Sequence, residues 1–312
     1  MKELGFKNVE EAHLRIKDYV NNTPVLNFES LDSELGSKIF FKMDSEQKTR
    51  SFKARGAYNS ILAYRERNGK FPKKIVVQSS GNHAQAIASV SKRFGIEALI
   101  YMIKASSPLK IQRTKDLGAN VILREERSEV NKLAREKIKE GYYFIHPAGG
   151  EYTISGQGTA CYEALKEIGE VDYIFTPCGG GGLTAGTYLA AQGLSKNAKV
   201  YACEPEIAND AARSFKKGKI VSFEKVPKTI ADGARTLSVT EYSFEILKKI
   251  EGILEISEDK IRFWQEKFSQ DTGYKIEPTS ALALAGAEQF MHNNPDKKNS
   301  KILIIISGGN IV

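Results

Sequence analysis

Three apolar runs in this chain each break off into a turn rich in glycine and serine. Residues 75–78 lead into Ser79-Ser80-Gly81-Asn82-His83, residues 172–175 toward Cys178-Gly179-Gly180-Gly181-Gly182-Leu183, and residues 301–306 into Ser307-Gly308-Gly309-Asn310. Short continuous runs of β-branched and aliphatic residues, bounded by turn residues, are what strands buried on both faces require. Further runs at 38–42, 98–103, 120–123, 142–145 and 199–203 alternate with stretches of helical spacing, which predicts an α/β fold of mainly parallel sheets with crossover helices. In open sheets of this kind ligands bind beyond the carboxyl ends of the strands, so the three turns can converge on one cleft. A first helix is expected over residues 8–20, closed by Thr23-Pro24-Val25.

At 312 residues the chain favours two domains with ample core material. The net charge of +8 permits an anionic partner, but the lysines stand in scattered pairs such as Lys73-Lys74 and Lys216-Lys217 rather than in a tract. They read as solvated faces, and neither nucleic acid nor membrane is expected as a partner. The cysteines Cys161, Cys178 and Cys203 are odd in number and contain no C-x-x-C, which supports neither a disulfide framework nor a zinc site. No apolar segment follows Met1 and no run reaches the length of a membrane span, so a cytoplasmic protein is expected.

Lys53 lies in Gln47-Lys48-Thr49-Arg50-Ser51-Phe52-Lys53-Ala54-Arg55-Gly56-Ala57, after the run at 38–42 and at the start of helical spacing through Ala54, Ala57, Ile61 and Leu62. That places a lysine at the mouth of an α/β unit, where it can serve as a covalent catalyst. A cation at a helix start opposes the helix dipole, so a purely structural role suits it poorly. The turn Gly179-Gly180-Gly181-Gly182 brings consecutive backbone N–H groups to one anion at the start of a helix over 183–192. Taken alone it fits two readings equally: a phosphate monoester site, or a dinucleotide fingerprint Gly180-x-Gly182-x-x-Ala185 with Glu204 ending the next strand.

The four stretches together resemble the pyridoxal-phosphate (PLP) enzymes of the tryptophan-synthase-β fold type, most closely the serine/threonine dehydratase and serine racemase group, from about Thr23 to the end of the chain. The resemblance implies a large domain of residues 1–74 and 149–312, a small inserted domain of 75–148, and the cofactor in the cleft between them. It implies that Lys53 forms the Schiff base with Phe52 packed beside it. The turn from Gly179 to Gly182, with Leu183, takes the phosphate, and Ser307 bonds the pyridine nitrogen, which sets the dinucleotide reading aside. Asn82 reaches the cofactor's O3′ and Glu277 lies near its ring. By the same resemblance Ser79, Ser80, Gly81, Asn82 and His83 form the loop for the substrate carboxylate. Ser80 matches the acid/base of racemases, although a serine there is equally an N-cap; His83 alone reads as a packing or capping residue. Glu204, the carbonyl of Ala208 and Asp210 match a site for Mg²⁺ or Ca²⁺, with acidic residues favoured by a helix start as the plainer account. A homodimer is implied.

The implied reaction is β-elimination from a 3-hydroxy amino acid such as serine or threonine to a 2-oxo acid and ammonia. Serine racemisation is the alternative within the class, and a dinucleotide-binding oxidoreductase the one outside it. This chain departs from the family pattern at Arg50, where glycine is usual, and at Ala148, where phenylalanine or asparagine follows His146-Pro147. Arg50 and Arg235 are the residues that could give the cleft a fork for an anionic side chain, with 3-hydroxyaspartate as the corresponding substrate; the plainer account is that both point outward or pair with acids such as Asp44 and Asp232.

Overall fold

The structure, a computed structural model, describes residues 3–79 and 81–311 and resolves their strands into two sheets. In chain order the strands are β1 (Val25–Leu26), β2 (Lys38–Met43), β3 (Lys74–Gln78), β4 (Glu97–Ile103), β5 (Asn120–Arg124), β6 (Tyr143–Phe144), β7 (Tyr173–Pro177), β8 (Lys199–Pro205), β9 (Gly252–Ile256) and β10 (Lys301–Ile306). The helices are α1 (Phe6–Ile16), α2 (Glu29–Leu35), α3 (Lys53–Asn68), α4 (Asn82–Phe94), α5 (Pro108–Asp116), α6 (Arg127–Lys139), α7 (Glu151–Ile168), α8 (Gly182–Leu194), α9 (Asp210–Lys217), α10 (Glu241–Leu247), α11 (Glu258–Thr272) and α12 (Pro278–Asn293). The larger sheet has the order β1-β2-β10-β7-β8-β9 and the smaller β5-β4-β3-β6. Every pairing is parallel except β1 with β2.

Helices cover both faces of the larger sheet, and β10 shows how the sequence arranges this. Successive side chains of a strand point to opposite faces. Ile302, Ile304 and Ile306 accordingly pack with Trp264 and Phe268 of α11 and the apolar side of α12, while Leu303 and Ile305 pack with α7 and α8. A strand buried on both faces carries no polar alternation, which is why it reads as a plain apolar run. The expected first helix is shorter than the spacing suggested: the N–H groups of Tyr19 and Val20 both return to the Ile16 carbonyl, and winding stops there. Strands β1 and β9 were not anticipated. The first is two residues long, and the second begins at a glycine and is half-exposed at the sheet edge.

Helix α7 fixes the two helices that matter most for the site. A Cβ on Gly158 would stand 2.5 Å from the Gly186 carbonyl oxygen, so α7 and α8 meet backbone to backbone. A Cβ on Gly156 would stand 2.8 Å from the Arg55 carbonyl oxygen, and α3 approaches as closely. On its other side α3 packs Ala57, Tyr58 and Ile61 against Ile75 and Val77 of the smaller sheet and Ile87 of α4. Beneath its first turn lies a fully enclosed ionic cluster. Arg55 bonds both oxygens of Asp44 at 2.7 and 2.8 Å and both oxygens of Glu163 at 2.7 and 2.8 Å, and Lys42 pairs with Glu163 at 2.8 Å. Two cations and two anions thus balance where no water reaches, tying β2, α3 and α7 together.

Candidate active site

The loop from β2 to α3 is stitched to the turn after β10. Ser51 bridges to Gly308, and the Phe52 N–H donates to the Ser307 carbonyl at 3.0 Å. This sets Lys53 as the first residue of α3, its Nζ donating to the Pro147 carbonyl at 2.7 Å and lying 4.7 Å from the centre of the Phe52 ring. Removal from water pulls the Lys53 amine down to about 8, with Glu277 opposing that shift. About a tenth of the amine is therefore neutral at pH 7, far more than for an ordinary lysine, as nucleophilic chemistry needs.

Lys53 opens onto a cavity of 360 Å³ at the carboxyl ends of β7 and β10, also lined by Ser79, Gly81, Asn82, Gly179 to Gly182, Glu277 and Ser307. Gly181 has φ +86°, in the left-handed region, and a Cβ on Gly182 would lie 2.5 Å from the Ala148 carbonyl oxygen. The turn therefore admits only glycine at these two points, and it leads directly into the N-terminus of α8. Ala148 lines the same cavity, and a Cβ on Gly180 would stand 2.6 Å from the Ala148 Cβ, so the two residues meet closely.

Asn82 opens α4 and donates to both carboxylate oxygens of Glu277 at 2.9 Å, while its own carbonyl accepts from Asn310 at 3.0 Å. Burial, reinforced by the nearby Asp232, raises the Glu277 carboxyl to about 7. Ser307 is buried and its hydroxyl shares a hydrogen bond of 3.1 Å with Ser280. His83 is also buried, with Nε2 against the Ile145 carbonyl at 2.9 Å. Burial, with Lys53 nearby, lowers it to about 3, which keeps it neutral. His146 accepts the N–H groups of Ala148 and Gly149 on Nδ1, at 3.2 and 2.9 Å, and burial lowers it to about 4. Ser80 lies outside the described residues.

Two expected site residues part company. Arg235 lines the cavity, but Arg50 does not. The guanidinium of Arg50 turns to the Gly309 carbonyl, 3.2 Å from Nε, and toward Glu46, on a backbone with φ 54°. Lys110 and Arg127, which no sequence motif singles out, line the cavity as well. Glu204 is buried with its carboxylate accepting the N–H groups of Ala211 and Ala212 at 3.2 and 2.7 Å, which leaves it no reach toward a nucleotide ribose. Asp210 is buried beside it, and its Oδ2 has no hydrogen-bond partner among the described residues. Among the described residues no group of three or more His, Cys, Asp or Glu side chains could hold a metal.

Residues 16–308 match the family model described as pyridoxal-phosphate dependent enzyme. The protein belongs to this family of PLP-dependent enzymes. Its relatives include the L-threo-3-hydroxyaspartate ammonia-lyase of Saccharomyces cerevisiae, 38% identical over 98% of this chain and 93% of the relative. The serine racemase of Schizosaccharomyces pombe is 38% identical over 98% and 94% of the two chains. Among solved structures, a threonine deaminase from T.th. superposes with a TM-score of 0.91 at 36% identity, covering 99% of each chain. The site of this PLP-dependent enzyme suits its cofactor on its own terms. It offers an amine drawn toward the neutral form for the aldehyde, a glycine turn at a helix start for the phosphate, and a buried neutral hydroxyl at Ser307 for the ring nitrogen. No described helix is long and apolar enough to cross a membrane.

Proposed function

We propose that the protein eliminates water from a 3-hydroxy amino acid and releases a 2-oxo acid and ammonia. The observation that carries this reading is Ser307, a buried hydroxyl partnered by Ser280, where a carboxylate would be needed to hold a pyridine nitrogen protonated. Bound at Lys53, PLP supplies an electron sink for the pair left on Cα, and with an unprotonated ring that sink favours prompt elimination over transamination. Lys53 Nζ, freed once the substrate amine takes its place and steadied by the Pro147 carbonyl, would take the Cα proton, and the Cβ hydroxyl would leave with one proton as water, so that the substrate loses H from Cα and OH from Cβ in sum. The N-terminal turn of α4, from Gly81 to His83, holds the substrate carboxylate on backbone N–H groups. The released enamine tautomerises and hydrolyses, consuming one water, to 2-oxo acid and ammonia. Domain boundaries at 75 and 148 put this cleft between a small and a large domain.

The PLP-loaded protein, given serine, threonine and threo-3-hydroxyaspartate, is expected to form the corresponding 2-oxo acids. Chiral analysis of the residual amino acid separates this from racemisation, which would invert substrate without keto-acid formation. A cation belongs to the same reading: the partnerless Asp210 Oδ2 and the buried Glu204 carboxylate are donors that Mg²⁺ or Ca²⁺ would satisfy, with the Ala208 carbonyl as third ligand. Adding either ion after chelation should raise Tm in the parent and not in Glu204→Ala.

A further inference from the structure

Two arginines reach the cavity from different parts of the fold, and among the described residues neither is ion-paired. Arg127 opens α6, whose Val130 and Ala134 pack on β3 and β4 of the smaller sheet. Arg235 follows the turn Asp232–Ala234, whose Ala234 packs among α11 and α12 beside the larger sheet. A second cavity of 720 Å³ adjoins the first, and Gly81, Lys110, Arg127, Asp232, Arg235 and Glu277 line both. These residues therefore form the neck between the two spaces.

Most charges at the neck are already engaged. Lys110 is ion-paired with Asp232, and both oxygens of Glu277 accept from Asn82. Glu125 and Glu126 line only the outer cavity, and Glu125 is taken by Lys104. Arg235 donates Nε to the Thr229 carbonyl at 2.8 Å, and its terminal nitrogens have no hydrogen bond among the described residues. Arg127 has neither hydrogen bond nor ion pair among them and stands at the first residue of a helix, where the dipole disfavours a cation. Stability does not call for an arginine there, whereas a ligand with an anionic side chain does. Guanidinium groups match a carboxylate through paired N–H donors, a match that a hydroxymethyl or hydroxyethyl side chain cannot provide.

We propose that Arg127 and Arg235 are a specificity-determining pair that receives a second carboxylate on the substrate, so that the site selects 3-hydroxy amino acids with an acidic side chain over serine and threonine. The pair rests on the elimination reading above and supplies its substrate class. In the holoenzyme, Arg127→Ala and Arg235→Ala should each lower the ratio of kcat/KM for threo-3-hydroxyaspartate to that for serine by about 10- to 100-fold, the scale of hydrogen bonds to charged groups. A ratio that stays within about twofold of the parent in both variants overturns the pair and leaves elimination standing. If the parent eliminates none of the three substrates, the elimination reading falls, and the pair is judged by binding alone. Calorimetric titration of the holoenzyme with aspartate and with alanine should then show a preference for aspartate that the double variant loses; an unchanged preference overturns the pair.

Discussion

Arg50 holds a backbone conformation, φ 54°, in which an L side chain costs about 1–2 kcal/mol relative to glycine. The departure from the family's glycine thus carries backbone strain, and the side chain is not among those lining the cavity. Lys53 was legible because motif and position agreed; Arg127 was not, since a single arginine in a helix that is mostly charged looks like solvated surface until tertiary contacts bring it to a cavity. Lys53 also yields a direct test. Borohydride reduction of the PLP-loaded protein and peptide mapping should place the pyridoxyl adduct on Lys53, and uptake of PLP by the cofactor-free protein should quicken as pH rises through about 8, where the amine loses its proton. Glu277 is expected to act on stability. Its folded value of about 7 lies above the unfolded 4.5, so its contribution is fully present below about pH 4.5 and is lost as pH rises through 7. The cofactor-free parent should therefore lose about 3 kcal/mol relative to Glu277→Gln across that window, read from paired unfolding curves; parallel pH profiles would refute the assignment.

The turn between β7 and α8 is the element on which cofactor retention is expected to depend. A methyl group on Gly182 meets the Ala148 carbonyl at 2.5 Å, and backbone cannot swing aside as a flexible side chain would. Gly182→Ala should cost about 1–3 kcal/mol of stability and weaken PLP binding at least tenfold, measured by melting and by spectroscopic titration. The element was readable from sequence as an anion cradle but ambiguous as to which anion. That ambiguity had a physical source, because the same N–H array serves a phosphate monoester and a dinucleotide, and only the buried state of Glu204 and the placement of Ser307 separate them. The strands around it were readable where burial on both faces left plain apolar runs, as in β7 and β10. The two missed strands lie at the ends of the larger sheet, where burial does not impose a pattern.

For the whole molecule the enclosed cluster of Lys42, Asp44, Arg55 and Glu163 is the sharpest point of vulnerability. Arg55→Met would leave Asp44 and Glu163 buried with one remaining cation between them, and should cost about 3–5 kcal/mol, visible as a large fall in Tm. A different consequence follows from the strand order. β10 is the last strand of the chain, yet it lies in the interior of the larger sheet between β2 and β7, and Ser307 follows it. During synthesis, β2 and β7 must therefore wait with bare hydrogen-bonding edges while more than a hundred residues emerge after β7, and the loop that leads into Lys53 lacks its final neighbours until residue 308 leaves the ribosome. A nascent or truncated chain ending before residue 301 is a pair of half-sheets with two adhesive margins, exposed to self-association for as long as translation lasts.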